Sequence, residues 1–119
     1  METWNYLRTV IIVNDIFGTE PNLVNFLRER KEYLGAFICS MRMAYELTQQ
    51  DVSEATGYSI QTISRIENDK ANPMGVAGRD IFSYLVDRSG NTLDEILQEF
   101  SMFCYNMQAA EAYDARTEQ

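Results

Sequence analysis

Residues 48–68 read TQQDVSEATGYSIQTISRIEN, and this stretch decides the fold. Thr48 followed three residues later by Asp51 is a capping-box pattern, which predicts a helix that begins after Thr48. Gly57 fits the position that ends this short helix, because glycine readily takes the left-handed conformation needed there. Ser59 is a second N-cap residue and predicts another helix, which runs to the end of the stretch. The pattern therefore predicts two short helices joined by a tight turn.

The second of these helices, predicted over residues 60–68, has two unlike faces. At about 100° per residue, two isoleucines fall on one side and the polar side chains fall on the other. Those polar residues are Gln61, Ser64, Arg65 and Asn68. Such a face can enter the major groove of DNA, where Gln61 suits an adenine edge, Arg65 suits guanine, and Ile60 suits a thymine methyl group. Taken alone, the same arrangement of polar residues on one side of the helix is also typical of an ordinary solvent-exposed helix face.

The rest of the chain is predicted to be mainly helical. Apolar residues recur at three- and four-residue spacing between Leu23 and Met41, which predicts an amphipathic helix over about 22–46. This helix is expected to be either continuous or broken near Gly35. A further helix is predicted through residues 81–86, and a capping box at Thr92 begins the last helix.

The two ends of the chain leave alternatives open. Residues 4–17 are compatible with a helix or, through their β-branched run, with a strand; we favour a helix. The apolar stripe of the last helix continues through Phe100, Phe103 and Met107. These residues are expected either to pack within the chain, against Trp4, Tyr6 and Phe17, or to form an interaction surface. The polar end over 109–119 is expected to fray.

The amino-acid composition limits which classes of function the protein can have. The net charge of the 119 residues is −8. Residues 74–119 contribute eight acids and three bases to it. DNA-binding proteins usually carry a basic surface, so this charge is the main observation against nucleic acid. Histidine is absent and Cys39 lies far from Cys104, so we expect no metal site, no cofactor and no enzyme. No apolar run suits a membrane span or a signal peptide, so we expect a cytoplasmic protein.

Residues 38–73 resemble the lambda-repressor-like helix-turn-helix family, also called the xenobiotic-response-element type. The matching positions are Leu47-Thr48-Gln49, Ala55 with Gly57, Thr62 to Asn68, and Asn72-Pro73. The resemblance implies an all-α fold, a lambda-repressor-like helical bundle with a helix-turn-helix, extended by N-terminal and C-terminal helices. It divides the chain into a helical N-terminal extension (1–32), a DNA-binding domain (33–100) and a C-terminal helix extension with a frayed tail (101–119).

The resemblance also implies roles for individual residues. Gln49 is expected to grip a phosphate, and Arg42 is expected to form a structural, partly buried ion pair with Glu67 instead of contacting DNA. The residues expected at the DNA are Gln49, Ser59, Ile60, Gln61, Thr62, Ser64, Arg65, Asn68, Lys70 and Asn72. Glu46 and Asp69 depart from the pattern, because the family usually has glycine at both positions. Aspartate tolerates the left-handed conformation, so the turn at Asp69 is expected to survive.

Two classes of function remain open. The first is a sequence-specific transcriptional regulator, bacterial or phage in type, acting as a homodimeric repressor with helix 60–68 in the major groove of double-stranded DNA. Dimerisation would double the contacts of a face that has few cations. The second is a protein-interaction module, such as an antirepressor, an antitoxin or a modulator of another regulator, which reuses the fold to bind a protein partner. We predict the first class; the acid excess and the long flanking helices favour the second more than they would in a typical member of the family.

Overall fold

The computed structural model describes residues 21–117, and the side chains of residues 25–114. Over that range the chain forms helices and no strand, which confirms the predicted all-α fold. The helices are α1 (Pro21–Glu29), α2 (Lys31–Ala44), α3 (Gln49–Thr56), α4 (Ile60–Glu67), α5 (Val76–Ser89) and α6 (Leu93–Thr117). The helix favoured for residues 4–17 and the predicted packing against Trp4, Tyr6 and Phe17 lie outside the described residues.

The first two helices meet at Arg30, so the prediction of one helix, continuous or broken near Gly35, was wrong. Arg30 has φ −114° and ψ 18°, which is outside helical geometry. Its Nη1 donates to the carbonyl oxygen of Phe26 at 3.1 Å, and its guanidinium lies 4.0 Å from the centre of the Phe26 ring. The side chain thereby satisfies one of the free carbonyls at the end of α1, which stabilises the break.

Gly35 lies inside α2, where it allows a close approach to α4. A Cβ atom added there would stand 2.2 Å from the carbonyl oxygen of Ile66. Glycine is therefore present because the two helix backbones nearly touch, which periodicity along one segment does not reveal.

The core surrounds α2, which packs against α1, α4, α5 and α6. Its most deeply buried large side chains are Leu27, Leu34, Ile38, Val52, Ile63, Ile66, Ile81, Phe82, Leu85, Ile96 and Phe100. Each of them contributes about 1.5–3 kcal/mol through removal from water. The ring of Phe100 lies 6.2 Å from that of Phe26 and 5.1 Å from that of Phe37. The apolar continuation of the last helix therefore packs, at Phe100, against α1 and α2.

The capping signals behave as predicted. Thr48 Oγ1 accepts from the Asp51 backbone N–H at 3.0 Å, and the Thr48 N–H donates to Asp51 Oδ2 at 2.8 Å. These hydrogen bonds to the ionised form lower the pKa of Asp51 below its usual range. Gly57 ends α3 with φ 84°, and Ser59 caps α4 by accepting from the Thr62 N–H at 3.1 Å.

The last helix, α6, is long and continuous. It begins with the predicted capping box, in which the Glu95 N–H donates to Thr92 Oγ1 at 3.2 Å. The segment from Ala109, which the sequence predicts to fray, is helical as far as Thr117. A tie to α2 accounts for part of this extension, since Tyr33 Oη donates to Glu111 Oε2 at 3.0 Å. In the described range, no helix is long and apolar enough to cross a membrane.

Candidate nucleic-acid interface

Helix α4 has one buried and one solvent-facing side, as its sequence pattern predicts. Ile63 and Ile66 are buried at 0% and 1% exposure. Gln61 and Arg65 lie exposed, and Ile60 is 41% exposed at the start of the helix. The other residues expected at the DNA are also exposed or half-exposed: Gln49, Ser59, Thr62, Ser64, Asn68, Lys70 and Asn72. The structure thus places all ten of these positions in contact with solvent.

Several of these polar side chains also support the local backbone. Ser59 Oγ donates to Thr62 Oγ1 at 2.9 Å within the N-cap. Asn68 Nδ2 donates to the carbonyl oxygen of Ser64 at 2.8 Å at the end of α4. Asn72 Oδ1 accepts from the Met74 N–H at 3.0 Å in the following loop. These hydrogen bonds hold the helix ends and the loop in one conformation.

The two predicted base-reading residues differ in how they are held. Gln61 has no hydrogen-bond partner among the residues that the structure describes. Arg65 Nη2 donates to the carbonyl oxygen of Lys70 at 3.2 Å, which leaves other guanidinium N–H groups available. Both side chains therefore retain donors that point away from the buried face of α4.

A hydrogen-bonded cluster of Arg42, Glu67 and Gln49 lies behind this surface. Arg42 Nε lies 2.7 Å from Glu67 Oε2 and Arg42 Nη2 lies 3.0 Å from Glu67 Oε1. The structure thus brings together the two residues for which an ion pair was expected. Their side chains are 13% and 3% exposed. The hydrogen bonds that Arg42 donates to Glu67 raise the pKa of Arg42 above its already high usual value.

The cluster joins three segments of the chain. Arg42 Nη1 donates to the carbonyl oxygen of Leu47 at 2.8 Å, and Gln49 Nε2 donates to Glu67 Oε1 at 3.1 Å. Sequence reasoning missed the second bond, which ties the first residue of α3 to the last residue of α4. Because Gln49 is already oriented, it would lose less rotamer freedom on meeting a ligand.

A second tie that the sequence did not indicate joins the turn before α4 to α5. Tyr58 Oη donates to Asp80 Oδ2 at 2.5 Å, across 22 residues of chain. Nothing local marks such a pair, because its spacing reflects how α5 packs. Arg79, the next basic residue along the chain after Lys70, is half-buried and donates from Nε to the carbonyl oxygen of Met74 at 2.8 Å.

The backbone is left-handed at both positions where the family usually has glycine. Glu46 and Asp69 each have φ 57°. This confirms the expectation that Asp69 preserves its turn. A left-handed residue with a Cβ atom costs roughly 1–2 kcal/mol. Both side chains also place a carboxylate beside the candidate interface, which otherwise has Arg65 and Lys70 as its exposed cations.

We expect Glu46→Gly to raise the free energy of unfolding by up to about 1 kcal/mol, because it relieves the left-handed strain. The gain is smaller than the strain itself, since glycine also makes the unfolded chain more flexible. Urea denaturation of the variant and of the parent measures the difference. Glu54→Gly, in the interior of α3, is the control and should destabilise. A Glu46→Gly variant less stable than the parent would contradict the strain.

Among the described residues, the remaining chemistry-bearing groups do not converge on a site. In the described part of the chain, no three histidine, cysteine, aspartate or glutamate side chains lie close enough to hold a metal ion. Cys39 and Cys104 are free thiols, and burial raises the pKa of each.

Comparison with known proteins bears on the same region. Residues 40–75 match a family model described as helix-turn-helix. The matched segment contains the end of α2, the whole of α3 and α4, and the loop before α5. No curated protein and no solved structure matches the chain.

Proposed function

We propose that this chain, whose residues 40–75 belong to the lambda-repressor-like helix-turn-helix family, is a sequence-specific regulator of transcription. It acts in the cytoplasm as a homodimeric repressor that occupies promoter DNA. The observation that carries the proposal is the solvent-facing side of α4, where Gln61 and Arg65 stand opposite the buried Ile63 and Ile66. A rigid helix with exposed amide and guanidinium donors has the chemistry that reads base edges in the major groove.

The proposed contacts fall into two groups. Gln61 reads an adenine edge, Arg65 reads guanine through two N–H donors, and Ile60 covers a thymine methyl group. The small hydroxyl residues Ser59, Thr62 and Ser64 fill the groove around them. Phosphates are held by Gln49 at the start of α3 and, at the far end of α4, by Asn68, Lys70 and Asn72. Such phosphate contacts position the protein and carry no sequence information.

The Arg42–Glu67–Gln49 cluster supports this function by fixing α3 relative to α4. An anchor on α3 and readers on α4 can act together only if the angle between the two helices is constant. The cluster joins both helices to α2 through side chains that are largely excluded from water. We therefore assign Arg42 and Glu67 a positioning role, with no contact to DNA.

The scarcity of cations supports the homodimer. Arg65 and Lys70 neutralise few phosphates, while the left-handed Glu46 and Asp69 add negative charge beside them. Affinity then falls by roughly 0.9 logarithmic units per phosphate for each tenfold rise in salt, so the dependence for one copy is shallow. A second copy on a palindromic site doubles both the base contacts and the phosphate contacts.

We expect Gln61→Ala and Arg65→Ala each to weaken binding to the cognate site by about 1–3 kcal/mol, because each removes a direct base contact. Lys70→Ala should weaken all DNA sequences equally and reduce the salt dependence. Fluorescence anisotropy in a salt series, with the protein's own upstream DNA and with selected random pools, measures these effects.

Gln108→Ala and Arg28→Ala are the matched controls, because both residues are exposed on other helices. They should leave the affinity unchanged. If the parent protein binds neither the upstream DNA nor any random pool at low salt, the regulator proposal fails.

A protein-interaction module is the second candidate, and one observation favours it. Helix α6 carries Asp94, Glu95, Glu99, Glu111 and Asp114 against a single arginine. This acidic helix would suit a basic partner better than it would suit DNA. The absence of DNA binding in the experiment above, together with a stable complex with another regulator, would support this candidate.

A further inference from the structure

Two acidic residues lie at the two ends of the surface proposed to bind phosphates. Glu46 is three residues before Gln49, in the turn that precedes α3. Asp69 lies between Asn68 and Lys70, directly after α4. Both acidic side chains are exposed. An exposed carboxylate is charged at neutral pH, so each turn places a negative charge beside a residue proposed to bind a negative phosphate.

The backbone of both turns is fixed by hydrogen bonds. In the first turn, the Glu46 N–H donates to the carbonyl oxygen of Met43 at 3.0 Å. In the second turn, the Asp69 N–H donates to the carbonyl oxygen of Ile66 at 3.3 Å. Each acidic side chain is therefore attached to a fixed point of the interface, and the turn that carries it does not swing away when DNA approaches.

Neither carboxylate forms an ion pair with a described residue. The nearest candidate partner of Glu46 is Arg42, since both line a shallow pocket of about 620 Å³ at the start of α3. The Arg42 guanidinium, however, is held by Glu67 and by the carbonyl oxygen of Leu47. Gln49 also lines this pocket, so the charge of Glu46 and the proposed phosphate anchor share one surface.

The two turns do not themselves require acidic residues. Glu46 and Asp69 each have φ 57°, a conformation that strains any residue with a Cβ atom. Glycine would take either turn without that strain and without a charge. The backbone conformation therefore does not account for the two carboxylates, whereas their position beside the phosphate-binding residues gives them an electrostatic effect on DNA.

We propose that Glu46 and Asp69 limit the affinity of this chain for DNA by repelling the phosphates at the two ends of the interface. This role rests on the proposed function, because it concerns the same surface. The repulsion acts on the DNA backbone and is therefore the same for every sequence. DNA that offers the base contacts of Gln61 and Arg65 is bound tightly enough to tolerate the repulsion, whereas other DNA is released.

The size of the effect follows from Coulomb's law. Two unit charges about 7 Å apart in water interact strongly enough to change an equilibrium constant about threefold. Salt at about 0.1 M screens charges over about 10 Å, so each carboxylate acts mainly on the nearest phosphates. We therefore expect loss of either charge to raise the affinity for DNA about threefold at low salt, and loss of both to raise it about tenfold.

Isosteric substitutions of the full chain test the repulsion. Glu46→Gln and Asp69→Asn remove the charge but keep the Cβ atom and the size of the side chain. Fluorescence anisotropy should show the same gain in affinity for a duplex selected from random pools and for random DNA. The gain should shrink as the salt rises from about 0.05 M to about 0.3 M, because screening weakens the repulsion.

Glu29→Gln is the matched control, because it removes the same charge from a side chain that is 73% exposed on α1. It should leave the affinity for DNA unchanged to within about twofold. Glu46→Gly removes charge and strain together, so it should bind DNA as tightly as Glu46→Gln. A gain for the glycine variant alone would show that strain limits binding and would overturn the proposal. Circular dichroism confirms that each variant is folded.

The combined Glu46→Gln and Asp69→Asn variant separates this proposal from the proposed function. If the parent binds selected DNA through Gln61 and Arg65 but the combined variant binds no more tightly, the repulsion is absent and the regulator function stands. If the parent binds no DNA and the combined variant binds random DNA, the repulsion is confirmed and the sequence-specific regulator fails. If neither protein binds any DNA, both fail.

Discussion

Replacement of Arg42 by methionine should lower the free energy of unfolding by about 3–5 kcal/mol, because it leaves a buried carboxylate without its counter-ion. The Glu67 side chain is only 3% exposed, and Gln49 would remain as its side-chain partner in the cluster. A loss of this size is a large part of the about 5–15 kcal/mol by which a domain is usually stable. Urea denaturation followed by circular dichroism measures it.

Two further variants distinguish the destabilisation caused by an unpaired buried charge from that caused by the loss of an ion pair alone. Removal of Glu29, which lies 3.5 Å from Arg30 and is 73% exposed, should change stability by less than about 1 kcal/mol. The double substitution Arg42→Met with Glu67→Met should be milder than Arg42→Met alone, since no buried charge remains. If the single Arg42 variant is as stable as the Glu29 variant, the cluster does not have the positioning role assigned to it.

The second large effect concerns Gly35. Alanine usually stabilises a helix interior relative to glycine by about 1 kcal/mol. We expect Gly35→Ala to have the opposite sign and to destabilise by about 1–3 kcal/mol or more, as overpacked cores do. Its Cβ atom would lie 2.2 Å from the Ile66 carbonyl oxygen and 3.4 Å from the Ile66 carbonyl carbon. Both atoms belong to the backbone of α4, so neither can rotate away, and α2 and α4 must separate.

Thermal denaturation and DNA titration together measure this effect. Displacement of α4 should also weaken DNA binding by those variant molecules that remain folded, because Gln61 and Arg65 move with the helix. Gly75→Ala is the control: the nearest atom to its added Cβ is 3.3 Å away and its φ is −71°, so its effect should stay below about 1 kcal/mol. A stabilised Gly35→Ala variant would show that the two helices are not in close contact.

Local signals explain why much of the site could be predicted. The N-caps at Thr48 and Ser59 act over three residues, and the inward isoleucines of α4 repeat at helical spacing, so both are visible along the chain. The exposed positions of Gln61 and Arg65 follow directly from the burial of Ile63 and Ile66. The ion pair of Arg42 with Glu67 is different, because no local pattern indicates it; only the resemblance to a known family did so.

Residues 48–68 by themselves determined two capped helices and the chemistry of the face that α4 exposes, because capping and helical periodicity are local properties of the chain. Only the tertiary structure decided that Gly35 is a point of helix contact, that Gln49 is held by Glu67 and that the break between α1 and α2 falls at Arg30. Each of these features depends on a contact with a group that lies on another helix or in the preceding helical turn and that packing brings close. The helix-turn-helix could therefore be predicted from local patterns in the sequence, whereas the cluster that holds its two helices at one angle could not.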